Sequence, residues 1–375
     1  MFGLTGEQQQ FRDSLQRLLR ADYPFERRRA IAQSATGWSA EIWRGLAEIG
    51  ALALTVPEAH GGFGGGGMDT FVVMEECGRA LLLEPYLATI VLGAGIVARA
   101  GNEAQCASIL PAVGAGERQL ALAHYEPGTR FAPEAVACEA RREGGGWELN
   151  GAKTWVLNGT TADLLIVTAR AAGDLALFLV EPSAPGVTVH DYPMYDARRA
   201  ADVRLDGVRL TAGARLGSGD ARPALAETID AAIAAVCAEA VGAMSVLLDA
   251  TGQYLKTRKQ FGVPIGSFQV LQHRMADMLI ATEAARSMAL LAASCIGHAA
   301  PGEHSHTVSA TKVRVAEAAR YVGQQAVQLH GGIGVTDELP VSHYFRRLTM
   351  IEMAFGDVDY HLDAVGRRLF DRELQ

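Results

Sequence analysis

Over most of this chain apolar residues recur at helical spacing, and one central stretch breaks that rhythm. From Thr5 to about Gly116 the pattern is mostly helical, with Phe11, Leu15, Leu18 and Leu19 on one face. Gly61 to Gly67 is a glycine-rich break, and Met68 to Ala80 resumes an apolar helix that carries Glu75 and Glu76. From about Leu120 to Gly219 short β-rich runs replace the helical period: Trp147 to Leu149, Leu164 to Thr168, Leu175 to Val180 and Gly186 to Val189. Gly, Pro and Asp turns separate them. From about Ala221 onward the chain is again helical, with long Ala-rich helices expected around 224–257, 268–298 and 305–330. The expected fold is mostly α with a central β domain. It comprises an N-terminal helical domain (1–119), a β-barrel or sandwich (120–220) and a C-terminal four-helix bundle (221–375).

Composition narrows the function classes. An apolar content of 49% and a charged content of 20% over 375 residues describe a globular chain with a large core. The formal net charge of −8 argues against nucleic-acid binding, which needs a basic patch. An anionic ligand needs only local Arg and Lys. The five cysteines, Cys77, Cys106, Cys138, Cys237 and Cys295, form no C-x-x-C pair. They read as reduced, mostly buried thiols of a cytoplasmic protein, and no zinc site is expected. His304 and His306 follow Pro301-Gly302 and are expected to face solvent. The first residues show no basic region followed by an apolar one, so no signal peptide is expected. No apolar run reads as long and uncharged enough to span a bilayer.

Two glycine motifs are decoys. Gly93-Ala94-Gly95-Ile96-Val97-Ala98 fits a G-x-G-x-x-A dinucleotide fingerprint, but lacks the surrounding βαβ alternation. It reads instead as a tightly packed helix, in which Gly and Ala allow close approach. Gly61 to Gly67 lacks the Lys-Ser/Thr of a P-loop. A third set is richer in chemistry. Arg258 is a planar, permanently charged donor suited to a diphosphate. Phe261 can cover a ring system, and Gln269 and Gln328 offer amide donors and acceptors. Gly331 and Gly332 let backbone N–H groups approach a ligand closely.

Taken in order, Arg258-Lys259-Gln260-Phe261-Gly262, Pro264-Ile265, Phe268-Gln269 and Gln328-Leu329-His330-Gly331-Gly332-Ile333-Gly334 resemble the C-terminal domain of the acyl-CoA dehydrogenase family. Val56-Pro57-Glu58 with Gly61-Gly62, and Leu149-Asn150-Gly151-Ala152-Lys153-Thr154-Trp155 with Asn158-Gly159, extend the resemblance over essentially the whole chain. The resemblance implies FAD as cofactor and α,β-dehydrogenation of an acyl-CoA thioester. It implies that Arg258, Phe261, Gln269, Gln328, Gly331 and Gly332 hold the ADP portion of an FAD bound mainly by a neighbouring subunit. Trp155 would face the isoalloxazine ring. The implied partners are acyl-CoA, an electron-transferring flavoprotein and a second subunit. The assembly would be a homodimer, a homotetramer, or a heterotetramer with another acyl-CoA dehydrogenase-like chain.

The sequence also departs from the family. The usual catalytic Tyr-Glu-Gly-Thr is Ala354-Phe355-Gly356-Asp357, so Phe355 stands where the base is expected. In another branch the base lies on the helix before Arg258, and Ala232 occupies that position. Glu239, about two turns further along, is the only charge between Asp230 and Asp249. It is the candidate catalytic base, or else the single polar contact of a buried face; Asp230 and Glu227 are weaker candidates at the helix start. Small residues on this helix (Ala231, Ala232, Ala235, Gly242) fit either a roomy acyl pocket or close helix packing. In the middle domain Tyr125-Glu126-Pro127-Gly128-Thr129-Arg130 replaces Thr-Glu-Pro-x-x-Gly-Ser-Asp, and Leu157 replaces a flavin-contacting Thr. The chain is similar to the small subunit of pimeloyl-CoA-type dehydrogenases. Two alternatives therefore stay open: a subunit that completes a partner's FAD site, and a flavin oxidase or monooxygenase on the same fold.

Overall fold

The computed structural model describes residues 3–298 and 304–373. Helices α1 (Gly6–Asp22), α2 (Phe25–Ala32), α3 (Ala40–Glu48) and α4 (Gly67–Ala80) come first. A π-helical stretch, Leu87–Ala94, runs into α5 (Gly95–Ala100), and α6 (Glu103–Gly114) follows. Eight strands come next: β1 (Leu120–Ala123), β2 (Glu139–Glu143), β3 (Gly146–Leu157), β4 (Leu164–Ala171), β5 (Asp174–Val180), β6 (Val187–Pro193), β7 (Arg199–Leu210) and β8 (Arg215–Leu216). Beyond them lie α7 (Arg222–Thr257), the ribbon strands β9 (Lys259–Gln260) and β10 (Val263–Pro264), α8 (Gln269–Cys295), α9 (Ser305–His330), α10 (Pro340–Met353) and α11 (Val358–Glu373). The helix–sheet–helix order expected from the hydrophobic pattern is the order observed. The chain forms two compact units interleaved in sequence, Met1–Arg29 with Gly67–Leu82 and Ile233–Gln375, and Ala30–Gly66 with Leu83–Ala232.

The second unit is built on the sheet, with strand order β6-β7-β3-β2-β4-β5-β8 and β1 parallel to β4. One ion pair ties its two motif fragments together. Lys153 of β3 donates to Glu126 Oε1 at 2.5 Å and to Thr168 Oγ1 at 2.8 Å, while Glu126 also accepts from the amides of Ala137 and Cys138. Lys153, Glu126, Thr168 and Cys138 are buried, while Ala137 stands at the exposed edge of the cluster. Desolvation pulls the Lys153 pKa down, against the charge of Glu126. The Gly93 decoy is helical throughout. Its missing Cβ would lie 2.5 Å from the Leu120 side chain, so glycine here permits close packing on β1.

In the first unit α1 begins with a capping box, Thr5 and Gln8 each satisfying the other's backbone N–H. It buries Leu15 and Leu19. Helices α4 and α7 cross at backbone contact. A Cβ on Gly78 would meet the Glu239 carbonyl oxygen at 1.9 Å, and one on Gly242 would meet that of Glu75 at 1.9 Å. Close packing, rather than pocket volume, thus accounts for Gly242. Glu75 is fully buried between Arg12 and Arg286, and Arg286 also donates to Ser245.

Two expectations are corrected, on membrane-length helices and on His304, and the one on the cysteines holds. α7 and α8 are long and apolar enough to cross a membrane, but 83% of the apolar window of α7 is buried, as in the core helix of a globular fold. For α8 the share is only 33%, and Val270, Leu279, Ile280 and Leu291 stand exposed along it. His304 does not face solvent: it is 5% exposed beside the start of α9, and His306 is half-buried within that helix; Pro301 and Gly302 lie outside the described residues. The cysteines are free thiols, buried at Cys77, Cys106, Cys138 and Cys237 and half-buried at Cys295.

Candidate functional site

The residues read as a nucleotide clamp converge at one end of the first unit's bundle. α7 ends at Thr257, and the chain turns back through the β9–β10 ribbon. Its two tip residues, Phe261 (φ 54°) and Gly262 (φ 80°), are both left-handed, as a two-residue hairpin turn of the primed kind requires. A phenylalanine in that conformation costs about 1–2 kcal/mol, a strain that internal packing does not repay. Phe261 is 92% exposed, with only an edge contact to Phe268 at 6.1 Å. Gln269 opens α8, and Gln328 lies in the last turn of α9. Gly331 ends that helix at φ 67° and ψ −148°, a region open essentially to glycine alone. A Cβ on Gly332 would meet nothing within 4 Å, so packing inside this chain does not demand its bareness.

Two contacts join these helix ends. Tyr254, one turn before Arg258, stacks on His330 with ring centroids 4.5 Å apart. Arg274 of α8 donates to Gln325 of α9 at 3.1 Å. Arg258, Phe261, Gln269, Gln328, Gly331 and Gly332 are all exposed there. A guanidinium, an uncovered aromatic ring, two carboxamides and open backbone amides suit a nucleoside diphosphate.

Trp155 belongs to the second unit. Lys153 pairs with Val203 and Val156 with Ala201, so Thr154 and Trp155 together oppose Asp202. This β-bulge sets Trp155 at φ 52° and re-aims its side chain. Its backbone N–H donates to Tyr192 Oη, and its indole N–H to Met194 Sδ at 2.9 Å. One ring face is covered by Tyr125, stacked at 5.6 Å and 24°. Tyr125 stands where the resemblance expects a threonine, so the seat is narrower than a small residue would leave it.

Glu239 has a different setting from the one expected of a base. It is fully buried, about 28 Å along α7 from Arg258 at 1.5 Å per residue, and not part of the clamp. Both its oxygens are held: Oε1 accepts from Arg347 Nε at 2.7 Å and Oε2 from Arg347 Nη2 at 2.6 Å. A carboxylate in a bidentate guanidinium pair has its lone pairs engaged and its charge compensated. Phe355 is buried at φ 57° in the turn between α10 and α11. Two buried side chains hold that turn. Lys312 donates to the carbonyls of Glu352 and Gly356, each at 2.8 Å, and His361 Nε2 donates to the Phe355 carbonyl at 3.1 Å. Burial pulls the Lys312 pKa down to about 8 and that of His361 down to about 4. Sequence reasoning missed Tyr254, His330, Arg274, Lys312, His361 and Arg347. Only Arg347 left a local trace, as a charge on the apolar stripe of α10.

Helices before and after a β domain in sequence, with Arg258, Phe261, Gln269, Gln328, Gly331 and Gly332 exposed at the ends of the C-terminal helices, match a flavoprotein-dehydrogenase architecture. Family profiles for the acyl-CoA dehydrogenase N-terminal, middle and C-terminal domains match residues 5–117, 121–208 and 223–370. The chain belongs to the acyl-CoA dehydrogenase family, a family of oxidoreductases whose cofactor is FAD. It is 31% identical over 352 residues to acyl-CoA dehydrogenase FadE27 of Mycobacterium tuberculosis, covering 92% of each chain. Among solved structures it is similar to the ChsE4-ChsE5 complex from Mycobacterium tuberculosis, with 29% identity, 98% of each chain covered and a TM-score of 0.90. It is also similar to the Tcur3481-Tcur3483 steroid ACAD, with 31% identity, 98% and 99% coverage and a TM-score of 0.89.

Proposed function

We propose that this chain is one subunit of a heteromeric, FAD-dependent acyl-CoA dehydrogenase. Its C-terminal helices hold the nucleotide end of a shared FAD, and an unlike partner supplies the base. In such a dehydrogenation the α carbon of an acyl thioester gives up a proton and the β carbon a hydride. When bound, FAD supplies the hydride acceptor, and an electron-transferring flavoprotein takes the electrons onward.

The observation that carries the reading is the Glu239–Arg347 pair. The one isolated carboxylate of α7 is locked, and the other two base positions hold Ala232 and Phe355. Glu239 then anchors α7 to α10 and removes no proton. The Tyr125 ring on Trp155 supports the same division of labour: the nucleotide clamp fits FAD, and the seat for its ring system is narrowed. The two solved relatives named above each carry the names of two unlike chains, and one is called a steroid ACAD. A bulky polycyclic acyl thioester is the substrate class this favours.

The test is purification of the chain alone and together with a co-expressed unlike acyl-CoA dehydrogenase-like chain, with flavin per chain read by absorbance. The expected result is little flavin in the lone chain and one FAD per unlike pair, bleached by acyl-CoA without oxygen. Stoichiometric flavin and acyl-CoA-dependent bleaching in the lone chain would overturn the reading. They would return Glu239 to candidacy as base.

A further inference from the structure

We infer that Tyr254 and His330 are a positioning pair that sets the spacing of the nucleotide clamp, with the Arg274–Gln325 hydrogen bond as a second tie. The inference rests on the proposed clamp and goes beyond it, because none of these four side chains belongs to the ligand-facing set. The clamp is assembled from three chain segments: the end of α7 and the start of α8, joined by the short β9–β10 ribbon, and the end of α9, far from both in sequence. Its donors are useful only if these ends keep a fixed separation. Arg258 and the amides of Gly331 and Gly332 would have to reach one diphosphate together, and misplacement by about 1 Å would undo such an arrangement.

The two ties lie where that separation is set. Tyr254 is one helical turn before Arg258, on the same face of α7. His330 immediately precedes Gly331. The rings stack at 4.5 Å and 27°, so their contact fixes the distance between the guanidinium-bearing turn and the glycine turn. His330 itself is rigid. It is 6% exposed, and its Nδ1–H donates to the Ala326 carbonyl at 2.8 Å, which fixes the ring plane and leaves Nε2 as an acceptor. Burial holds its pKa below the usual histidine value, so the ring is neutral at pH 7 and puts no second cation beside Arg258. On the other side Arg274, little more than one turn after Gln269, bonds to Gln325, just under one turn before Gln328. The two amide residues are thereby held in register across α8 and α9.

The test uses the full chain with its partner subunit, stripped of flavin, and titrates FAD and FMN separately. FMN lacks the adenylate that the clamp holds. His330→Ala should weaken FAD binding about tenfold, the upper range for loss of one aromatic pair, and leave FMN binding unchanged, so that any general loss of stability is distinguished by its equal effect on both flavins. His330→Phe, which keeps a stacking ring, should restore FAD affinity. Gln325→Leu is an independent variant and should weaken FAD severalfold, again without affecting FMN. FAD affinity at wild-type level in both His330→Ala and Gln325→Leu would overturn the inference, as would equal losses for FAD and FMN. Arg258→Ala separates this from failure of the clamp itself. If it too leaves FAD affinity intact, the clamp reading falls; if it alone weakens FAD, only the positioning pair falls.

Discussion

Replacing Arg347 with Met should be among the most damaging single changes in this chain. It leaves the Glu239 carboxylate in a site with no solvent access, stripped of two charge-assisted hydrogen bonds of 2.7 and 2.6 Å. Breaking a buried pair from one side costs about 3–5 kcal/mol, because the surviving charge stays buried. Total stabilities are about 5–15 kcal/mol, so the loss would remove a large share of the margin. Glu239→Gln should cost a comparable amount, since it leaves the Arg347 guanidinium uncompensated. The double variant Glu239→Leu, Arg347→Met removes both charges together, and apolar replacement of a whole pair is close to neutral or stabilising. The assay is urea unfolding of the four proteins as a double-mutant cycle, comparing midpoints at matched slopes. A coupling of several kcal/mol is expected. An Arg347→Met cost under about 1 kcal/mol would refute the reasoning. So would a Glu239→Gln complex of normal stability that binds FAD but is no longer reduced by acyl-CoA, since that is how a lost base behaves.

Other predictions follow from single contacts. Gly78→Ala would set a methyl 1.9 Å from the Glu239 carbonyl oxygen, and should cost about 1–3 kcal/mol as α4 and α7 are forced apart; an unchanged thermal melt would count against the close crossing. His361 has its pKa depressed to about 4, chiefly by burial, with Lys312 adding to the effect and the carbonyl of Phe355 and Asp357 opposing it. Its neutral form is therefore a source of stability complete above pH 6.5 and lost as pH falls through 4, up to roughly 3 kcal/mol. His361→Asn should flatten that part of the pH–stability curve, and an unchanged slope would refute the assignment. Lys312, with its pKa lowered to about 8, gives a stability that rises as pH climbs from 8 toward 10.5. Lys312→Met should abolish that rise, measured by urea midpoints across the range. Phe261 is 92% exposed, so Phe261→Ala should change stability by less than about 0.5 kcal/mol while weakening FAD binding; undiminished FAD affinity would remove it from the clamp.

The helices were legible from local signals, an apolar period in α1 and long Ala-rich runs in the C-terminal helices. The C-terminal helices begin and end within a few residues of expectation, and the motifs at their ends fall where the chain turns. β2 was not legible. Its sequence, Glu139-Ala140-Arg141-Arg142-Glu143, has one apolar residue, and it is a strand because β3 pairs with it. β7 does alternate, with Ala201, Val203 and Leu205 buried and Asp202 and Arg204 exposed, but small and charged residues mute the β signal. The Trp155 bulge depends on register with β7 and leaves no mark on β3 alone. Residue types suggested the members of the proposed clamp, whereas the contacts that tie its segments, Tyr254 on His330 and Arg274 on Gln325, join distant positions.

Glu239 shows where the information lay. Its isolation among alanines was a true signal, but a signal of burial. A buried carboxylate requires a cation, and spacing along α7 says nothing about which one, because Arg347 is 108 residues away. The trace lay in α10. There Tyr344, Leu348 and Ile351 form the buried stripe, and Arg347 sits on that stripe instead of the polar face. Two helices, each with one charge of opposite sign on its apolar side, specify a buried pair together where neither does alone. Matching such misplaced charges across helices points from Glu239 to Arg347 without coordinates, and marks the carboxylate as one half of a buried pair between α7 and α10.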